Sequence, residues 1–385
     1  MQDNPTQQIP LWRQLQGAAF LLMAVRAGRS MTAALEDVDA AIRPGVQALG
    51  FHALRQLGRA EALRQQLASR PPPPEADALL CVALALIWTD EGAPYTAHTL
   101  VDQAVEAAKR SEDARHQASF INGCLRRFLR ERELLVAQTE KHPQAVWNHP
   151  QWWIDRLRKE HPAHWQAILR ANNSRAPLTL RINQRKTTPV LYQQALIAIN
   201  TGAILAGTHG LVLASAQPVP SLPGYIEGHF SVQDAAAQLA APLLLDGLQA
   251  SPGGRLRLLD ACAAPGGKTA QLVSAGARVT AMDASKSRIK RLEGNLARLG
   301  LSAEIVNADI LTYDPPRLFD AVLLDAPCSS TGTIRRHPDV LWTKTPDDIA
   351  KLAELQFRLL MRAVTMVRPG GTIVFSNCSL DPSEG

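Results

Sequence analysis

Cys328 and Cys378 lie fifty positions apart, and each closely follows an apolar run that reads as a buried strand, FDAVLLD (319–325) and GTIVFS (371–376). A thiolate suits conjugate addition to an electron-poor ring carbon, a job that oxygen nucleophiles do poorly. A lone cysteine is more often a small buried hydrophobe. Two of them at the ends of consecutive strands, one within Asp325-Ala326-Pro327-Cys328, point instead to a shared cleft, because consecutive strands usually pair at ~4.8 Å.

The same strand ends carry acids. RLRLLD (255–260), ARVTAMD (277–283), AEIVN (303–307) and FDAVLLD end in or lead to Asp260, Asp283, Asp309 and Asp325. Open α/β sheets bind ligands outside the carboxyl ends of their strands, so four acids there are not chance surface charge. After the first of these strands comes ACAAPGGKT (261–269). Its Gly266 and Gly267 allow a ligand close to the backbone, just before a helix N-terminus. A Walker phosphate loop needs glycine five residues before Gly267, where Cys262 stands, and the G-x-G-x-x-G fingerprint is absent. So many carboxylates disfavour a polyphosphate. S-adenosylmethionine, a sulfonium cation, fits better, with Asp283 placed about twenty residues beyond the first strand to take both ribose hydroxyls. Cys262 is expected to be structural within this loop, and Cys81 and Cys124 to be core residues of helices.

Helical patterns at Lys268–Ala275, Ser285–Leu299 and Pro346–Val367 separate these strands. Alternating strands and helices make a parallel sheet covered on both faces. Residues 11 to about 140 read differently, as all helix, with breaks at Arg43-Pro44-Gly45, Pro71–Pro74 and Gly92-Ala93-Pro94. Ser119–Arg132 is an amphipathic helix with a basic face. Between these parts, Trp147, Trp152, Trp153 and Trp165 could stack RNA bases, although such aromatics more often pack protein against protein. LTLRIN (178–183) and GLVLAS (210–215) read as strands, and SVQDAAAQLAAPLL (231–244) as a helix capped by Ser231. The expected division is an all-helical part over 1–140, a mixed α/β linker and RNA-binding part over 141–250, and the sheet domain over 251–385.

Composition narrows the class. Hydrophobic residues at 46% and charged residues at 20% indicate a globular chain. The apolar run through Leu79–Trp88 is far short of the ~20 residues a membrane span requires. The polar N-terminus has no signal-peptide pattern. Five scattered cysteines without a C-x-x-C pair suggest reduced thiols in the cytoplasm, with neither a disulfide framework nor a metal site. Net charge is +6, and residues 161–226 contain no acid but include Arg170, Arg175 and Arg181. With Arg126, Arg127 and Arg130, these are candidate RNA phosphate contacts.

The segments LLDACAAPGGKTAQL, MDASKSRIKRLEGNLARLG, NADI, FDAVLLDAPCSSTGTIRRHPDVLW and VRPGGTIVFSNCSLDPSEG resemble, in order, the motifs of the NOL1/NOP2/Sun family of RNA (cytosine-5) methyltransferases. The helical part, with INGCLRRFLR, resembles a NusB-like domain, a pairing similar to the family's bacterial 16S ribosomal RNA branch. The resemblance covers nearly the whole chain. It implies a Rossmann-like methyltransferase domain preceded by an all-α NusB-like domain, acting on 16S ribosomal RNA as a monomer. It further implies that Cys262, Ala263, Ala264, Pro265, Gly266, Gly267 and Lys268, with Asp283, Asp309 and Asp325, hold S-adenosylmethionine. Cys378 would attack ring carbon 6 of cytosine, Cys328 would assist release of the adduct, and Asp325 would also face the base. Two departures stand out. Asn377 occupies the place of the family's usual threonine, and the chain stops at Gly385 where the family continues into further strands. The expectation is therefore a last strand left as an open edge, in a fragment or a crippled enzyme. A non-catalytic RNA-binding assembly factor that keeps the fold is the alternative; a DNA cytosine methyltransferase fits less well, because its nucleophile comes from the Pro-Cys dipeptide.

Overall fold

A computed structural model describes residues 9–248 and 256–385. The described chain forms two compact units, one holding residues up to Arg175 together with Ser330–Pro346, the other Ala176–Ser329 with Asp347–Gly385.

The first unit is helical. Helices Leu11–Arg26, Arg43–Arg55, Leu57–Leu67, Ala97–Lys109 and Ala118–Thr139 surround Pro74–Ile87, which is buried on every side from Ala76 to Ile87. Its sequence ALLCVALALI has no polar face, which is why it occupies the centre. The sequence breaks fall where helices begin: Pro44 and Pro74 sit in first turns, where the missing N–H costs nothing. Cys81 and Cys124 are buried here. Trp153 is fully buried, while Trp147 and Trp165 meet edge-on at 5.1 Å under the guanidiniums of Arg170 and Arg158. The segment from Ser330 to Pro346 joins this unit through buried Asp339, which accepts from the Met31 backbone N–H at 2.9 Å, and through Trp342 against the helical core.

The second unit contains two sheets. Strands β1 (Thr179–Ile182), β2 (Ala203–Ala206), β3 (Gly210–Leu213) and β4 (Phe230–Val232) form an antiparallel sheet in the order β2-β3-β1-β4. β4 corrects the sequence reading, which put a Ser231-capped helix over 231–244. Phe230 is fully buried opposite Ile182, and Ser231 pairs with Arg181 in the ladder. Asp234 caps the following turn by accepting from Ala236 N–H at 3.0 Å; a short 3-10 turn follows at Ala236–Gln238, and α-helix forms only over Ala240–Asp246. Burying Phe230 and pairing β1 outweigh the helical propensity of the alanines.

Strands β5 (Arg257–Ala261), β6 (Arg278–Asp283), β7 (Glu304–Asn307), β8 (Phe319–Asp325) and β9 (Val367–Ser376) make a fully parallel sheet in the order β7-β6-β5-β8-β9. Leu258, Val279, Ala281 and Leu323 face helices Gly267–Ser274 and Lys286–Leu299, whereas Leu259, Met282, Val322 and Leu324 face Pro346–Met366. This two-sided burial explains the unbroken apolar runs. Strand order reverses between β5 and β8, which opens a crevice at their carboxyl ends. β9 is an edge strand, as expected, and pairs with β8.

Candidate active site

Every acid singled out in the sequence lies at this crevice end, but the four are not alike. Asp260 is completely buried. Thr269 Oγ1 donates to its Oδ2 at 2.5 Å, and its Oδ1 has no partner among the described residues. Burial pushes its carboxyl up to about 7, aided by the charge of Asp325 and opposed by the Thr269 hydrogen bond and Lys268. Asp283 is also buried. Its oxygens accept from Ser285 N–H at 2.9 Å and Ala264 N–H at 3.3 Å, and Arg288 lies at 3.0 Å. Asp325 is half-buried and paired, with Lys268 Nζ at 2.6 Å and Ser376 Oγ at 3.0 Å. Asp309 is exposed and accepts from Leu311 N–H.

The glycine-rich loop runs from β5 into helix Gly267–Ser274. Gly266 takes φ +99°, which a side chain would resist, and a Cβ there would press on Leu292 at 3.2 Å. The Ala264–Pro265 peptide is cis. Cys262 follows β5, and burial with nearby Asp283 pushes its thiol up to about 12. At neutral pH it is a neutral, weakly reactive group, in keeping with a structural part in the loop.

Beside this loop lies a cavity of about 190 Å³. Asp283, Asp309 and Arg288 line it together with apolar Met282, Ile310 and Leu355. An apolar slot with carboxylates at hand suits a flat ring carrying hydroxyls. Asp283 keeps acceptor capacity for a further donor, since a carboxylate offers about four lone-pair sites. These residues fit S-adenosylmethionine and do not form a polyphosphate cradle.

The two cysteines converge. Parallel pairing sets Asp325 beside Ser376 and carries both following loops to one place. Cys328 Sγ and Cys378 Sγ stand 3.4 Å apart without a disulfide between them, and the Cys378 backbone N–H points at Cys328 Sγ at 3.4 Å. Beneath them is a group that sequence reasoning missed. Glu384, 2% exposed, accepts from Ser329 N–H at 2.8 Å, Ser379 Oγ at 2.5 Å and Gln356 Nε2 at 3.0 Å, and also from Ser329 Oγ. Asn377 donates to the Glu384 carbonyl. One carboxylate thus ties the loop carrying Cys328 to the loop carrying Cys378. A glutamate six residues after the second cysteine was the available signal, but only the fold reveals its partners.

The arginine candidates do not form one patch. Arg126, Arg127 and Arg130 share the exposed face of Ala118–Thr139, opposite buried Cys124, Leu125 and Phe128. Arg127 is partly engaged by Glu131 at 3.0 Å. Arg170 and Arg175 are exposed elsewhere in the helical unit, while Arg181 is buried in the unit that holds the sheets.

Family models match three stretches: 16S rRNA methyltransferase RsmB/F over residues 248–385, an RsmF/B-like ferredoxin-like domain over 149–220, and the NusB family over 16–130. The ribosomal RNA small subunit methyltransferase B of Vibrio cholerae is 38% identical over 378 residues, covering 95% of this chain and 86% of that protein. The chain belongs to the RsmB/F family of 16S rRNA methyltransferases. The namesake from Pseudomonas putida is likewise 38% identical, over 386 residues, 95% of this chain and 86% of that protein. Among solved structures, PH0851 has TM-score 0.75 at 22% identity, covering 96% of this chain and 87% of that one. NSun6 from Pyrococcus horikoshii, solved with SFG, has TM-score 0.53 at 18% identity, covering 61% of this chain and 85% of that one. These two support the fold, in which the part matched by the NusB family precedes a methyltransferase domain with its parallel sheet between helices.

Proposed function

We propose that this member of the family methylates carbon 5 of a cytosine in 16S ribosomal RNA, acting in the cytoplasm as a monomer. The observation that carries the reading is the thiol pair: two reduced cysteines 3.4 Å apart at adjacent strand tips of the methyltransferase sheet. An RNA-binding factor without chemistry has no use for that arrangement.

The loop Cys262–Lys268 with Asp283, Asp309 and Asp325 would hold S-adenosylmethionine, which when bound supplies an electrophilic methyl group. Cys378 is the more exposed thiol and serves as nucleophile. Its sulfur bonds to ring carbon 6 of a cytosine turned out of its stack, and the electrons of the 5,6 double bond move to carbon 5. Asp325, held by Lys268 and Ser376, faces the base and can hold or release a proton at the cytosine ring. After carbon 5 has gained its methyl group, its proton leaves, the carbon 6–sulfur bond breaks and the double bond returns. Cys328, at van der Waals distance from the nucleophile, assists that step. The exposed arginines of the helical unit, Arg126, Arg127 and Arg130, with Arg170 and Arg175, would contact RNA phosphates.

Transfer of labelled methyl groups to naked 16S RNA, assembled small subunits and duplex DNA tests the reading. Label at carbon 5 of one cytosine of 16S RNA is expected. Tight RNA binding without any transfer would leave an assembly factor, and labelled DNA would redirect the assignment.

A further inference from the structure

A second, larger cavity of about 600 Å³ opens in the sheet unit, away from the thiols. Its wall includes Arg181 from β1, His209 before β3, and residues of the turn and helix between Ala235 and Asp246. Arg181 is the unusual member. It is 92% buried, no hydrogen bond or ion pair of its guanidinium exists among the described residues, and burial alone pulls its proton affinity down to about 10. A cation on a cavity wall, with its stem buried and no counter-charge among the described residues, favours an anionic ligand. His209 adds a second orphan, since its buried Nδ1 has no partner and its ring lies close enough to Arg181 to feel that charge. The other polar groups of the wall are largely committed. Gln271 donates to the Gln238 carbonyl and accepts from Gln233 Nε2, and Gln238 donates to the Leu180 and Gln233 carbonyls. Among the described residues of the lining the one carboxylate, Asp246, is exposed at the rim.

We propose that this cavity is a phosphate-binding site, with Arg181 as its principal donor and His209 as its second. Two sources carry that chemistry: a phosphodiester of the RNA substrate, which rests on the function proposed above, or the phosphate of a free mononucleotide. Room for more than an inorganic ion, and apolar Leu239 and Leu245 on the wall, suit a phosphate that arrives with its nucleoside.

The test uses the full chain and two variants. R181M removes the charge and keeps the bulk; Q184E leaves the core intact and sets a carboxylate at the exposed mouth. Affinity for a single-stranded 16S RNA fragment is measured across a salt series, and binding of inorganic phosphate and of a 5′-mononucleotide by calorimetry. If RNA is the source, both variants lose about tenfold in RNA affinity, and the slope of log affinity against log salt becomes shallower by about 0.7. If the source is a free nucleotide, RNA affinity is unchanged and both variants lose mononucleotide binding. R181M should melt no lower than the parent, whereas a merely structural arginine would lower the melting temperature. Unchanged binding of all three probes in Q184E would overturn the proposal even if R181M fails to fold. None of these readouts needs methyl transfer, so a wild-type chain that binds phosphate here yet methylates no RNA would refute the proposed function and leave this inference standing.

Discussion

The tip of β5 and the tips of β8 and β9 use the same two residue types, aspartate and cysteine, and make opposite chemistry from them. At β5, Asp260 is enclosed and Cys262 half-buried: burial raises the carboxyl to about 7 and the thiol to about 12, so both are held towards their neutral forms. At β8 and β9, Asp325 is paired with Lys268, and Cys328 and Cys378 face one another in loops open to solvent. Position at a strand end is shared; solvent access and partners differ. The β5 tip is a shaped, low-charge wall, while the β8/β9 tips keep reactive groups available. Four experiments press on that division.

The largest effect is expected at the thiols. Cys378→Ala should lower methyl transfer by roughly a thousandfold or more and trap no RNA, since the nucleophile of a covalent route has no substitute. Cys328→Ala should instead stall with RNA attached through Cys378, seen as a band that survives denaturant and vanishes with ribonuclease. An adduct found only with Cys378→Ala would exchange the two roles.

Next comes the carboxylate beneath them. Glu384→Ala removes, in a buried place, the carboxylate that Ser329 N–H and Gln356 Nε2 share, although Gln356 Nε2 keeps its bond to the Pro327 carbonyl. The expected cost is roughly 3 kcal/mol in denaturant unfolding, with methyl transfer reduced as the two loops part. Wild-type stability in this variant would show that the two loops are held by the strands alone.

The strands of the parallel sheet, the glycine loop and the convergence of the thiols were legible in the sequence because each is local or follows from parallel pairing of consecutive strands, whereas β2 was not singled out. Three further features were not legible. β4 is three residues long and owes its existence to β1, fifty positions earlier, so the alanine-rich run beside it dominated the reading. Glu384 counts through four partners spread over residues 329–379, which no spacing announces. Arg181 read as one more basic residue in an acid-free stretch, and only its burial separates it from Arg170 and Arg175.

Asp260 gives a pH signature. Its carboxyl titrates near 7 in the folded chain and near 3.8 as the ordinary value. Between those values the folded state holds a proton that the unfolded state has released, so stability falls as pH rises through about 4 to 7. The slope is at most about 1.4 kcal/mol per pH unit for this one group. Asp260→Asn should flatten that part of the stability curve and gain on the parent as pH rises. Parallel curves for the two proteins would mean that Asp260 is ionised in the fold.

The smallest effect should come from Cys262→Ala, and its smallness is what makes it informative. Cys262 is as close to the cofactor loop as any thiol and lines the same cavity as Asp283. If proximity to the cofactor decided reactivity, losing it would rival the loss of Cys378. Its thiol at about 12 leaves almost no thiolate at pH 7.5, and its backbone already sits at φ +59°, a conformation set by the loop rather than by the sulfur. Removing one sulfur from a partly exposed place should cost about 1 kcal/mol of stability or less. Methyl transfer should stay within about twofold of the parent, and the Cys378 adduct should form at its normal rate. A large fall in transfer with unchanged affinity for S-adenosylmethionine would break the division, because it would give the enclosed tip of β5 a part in the chemistry itself.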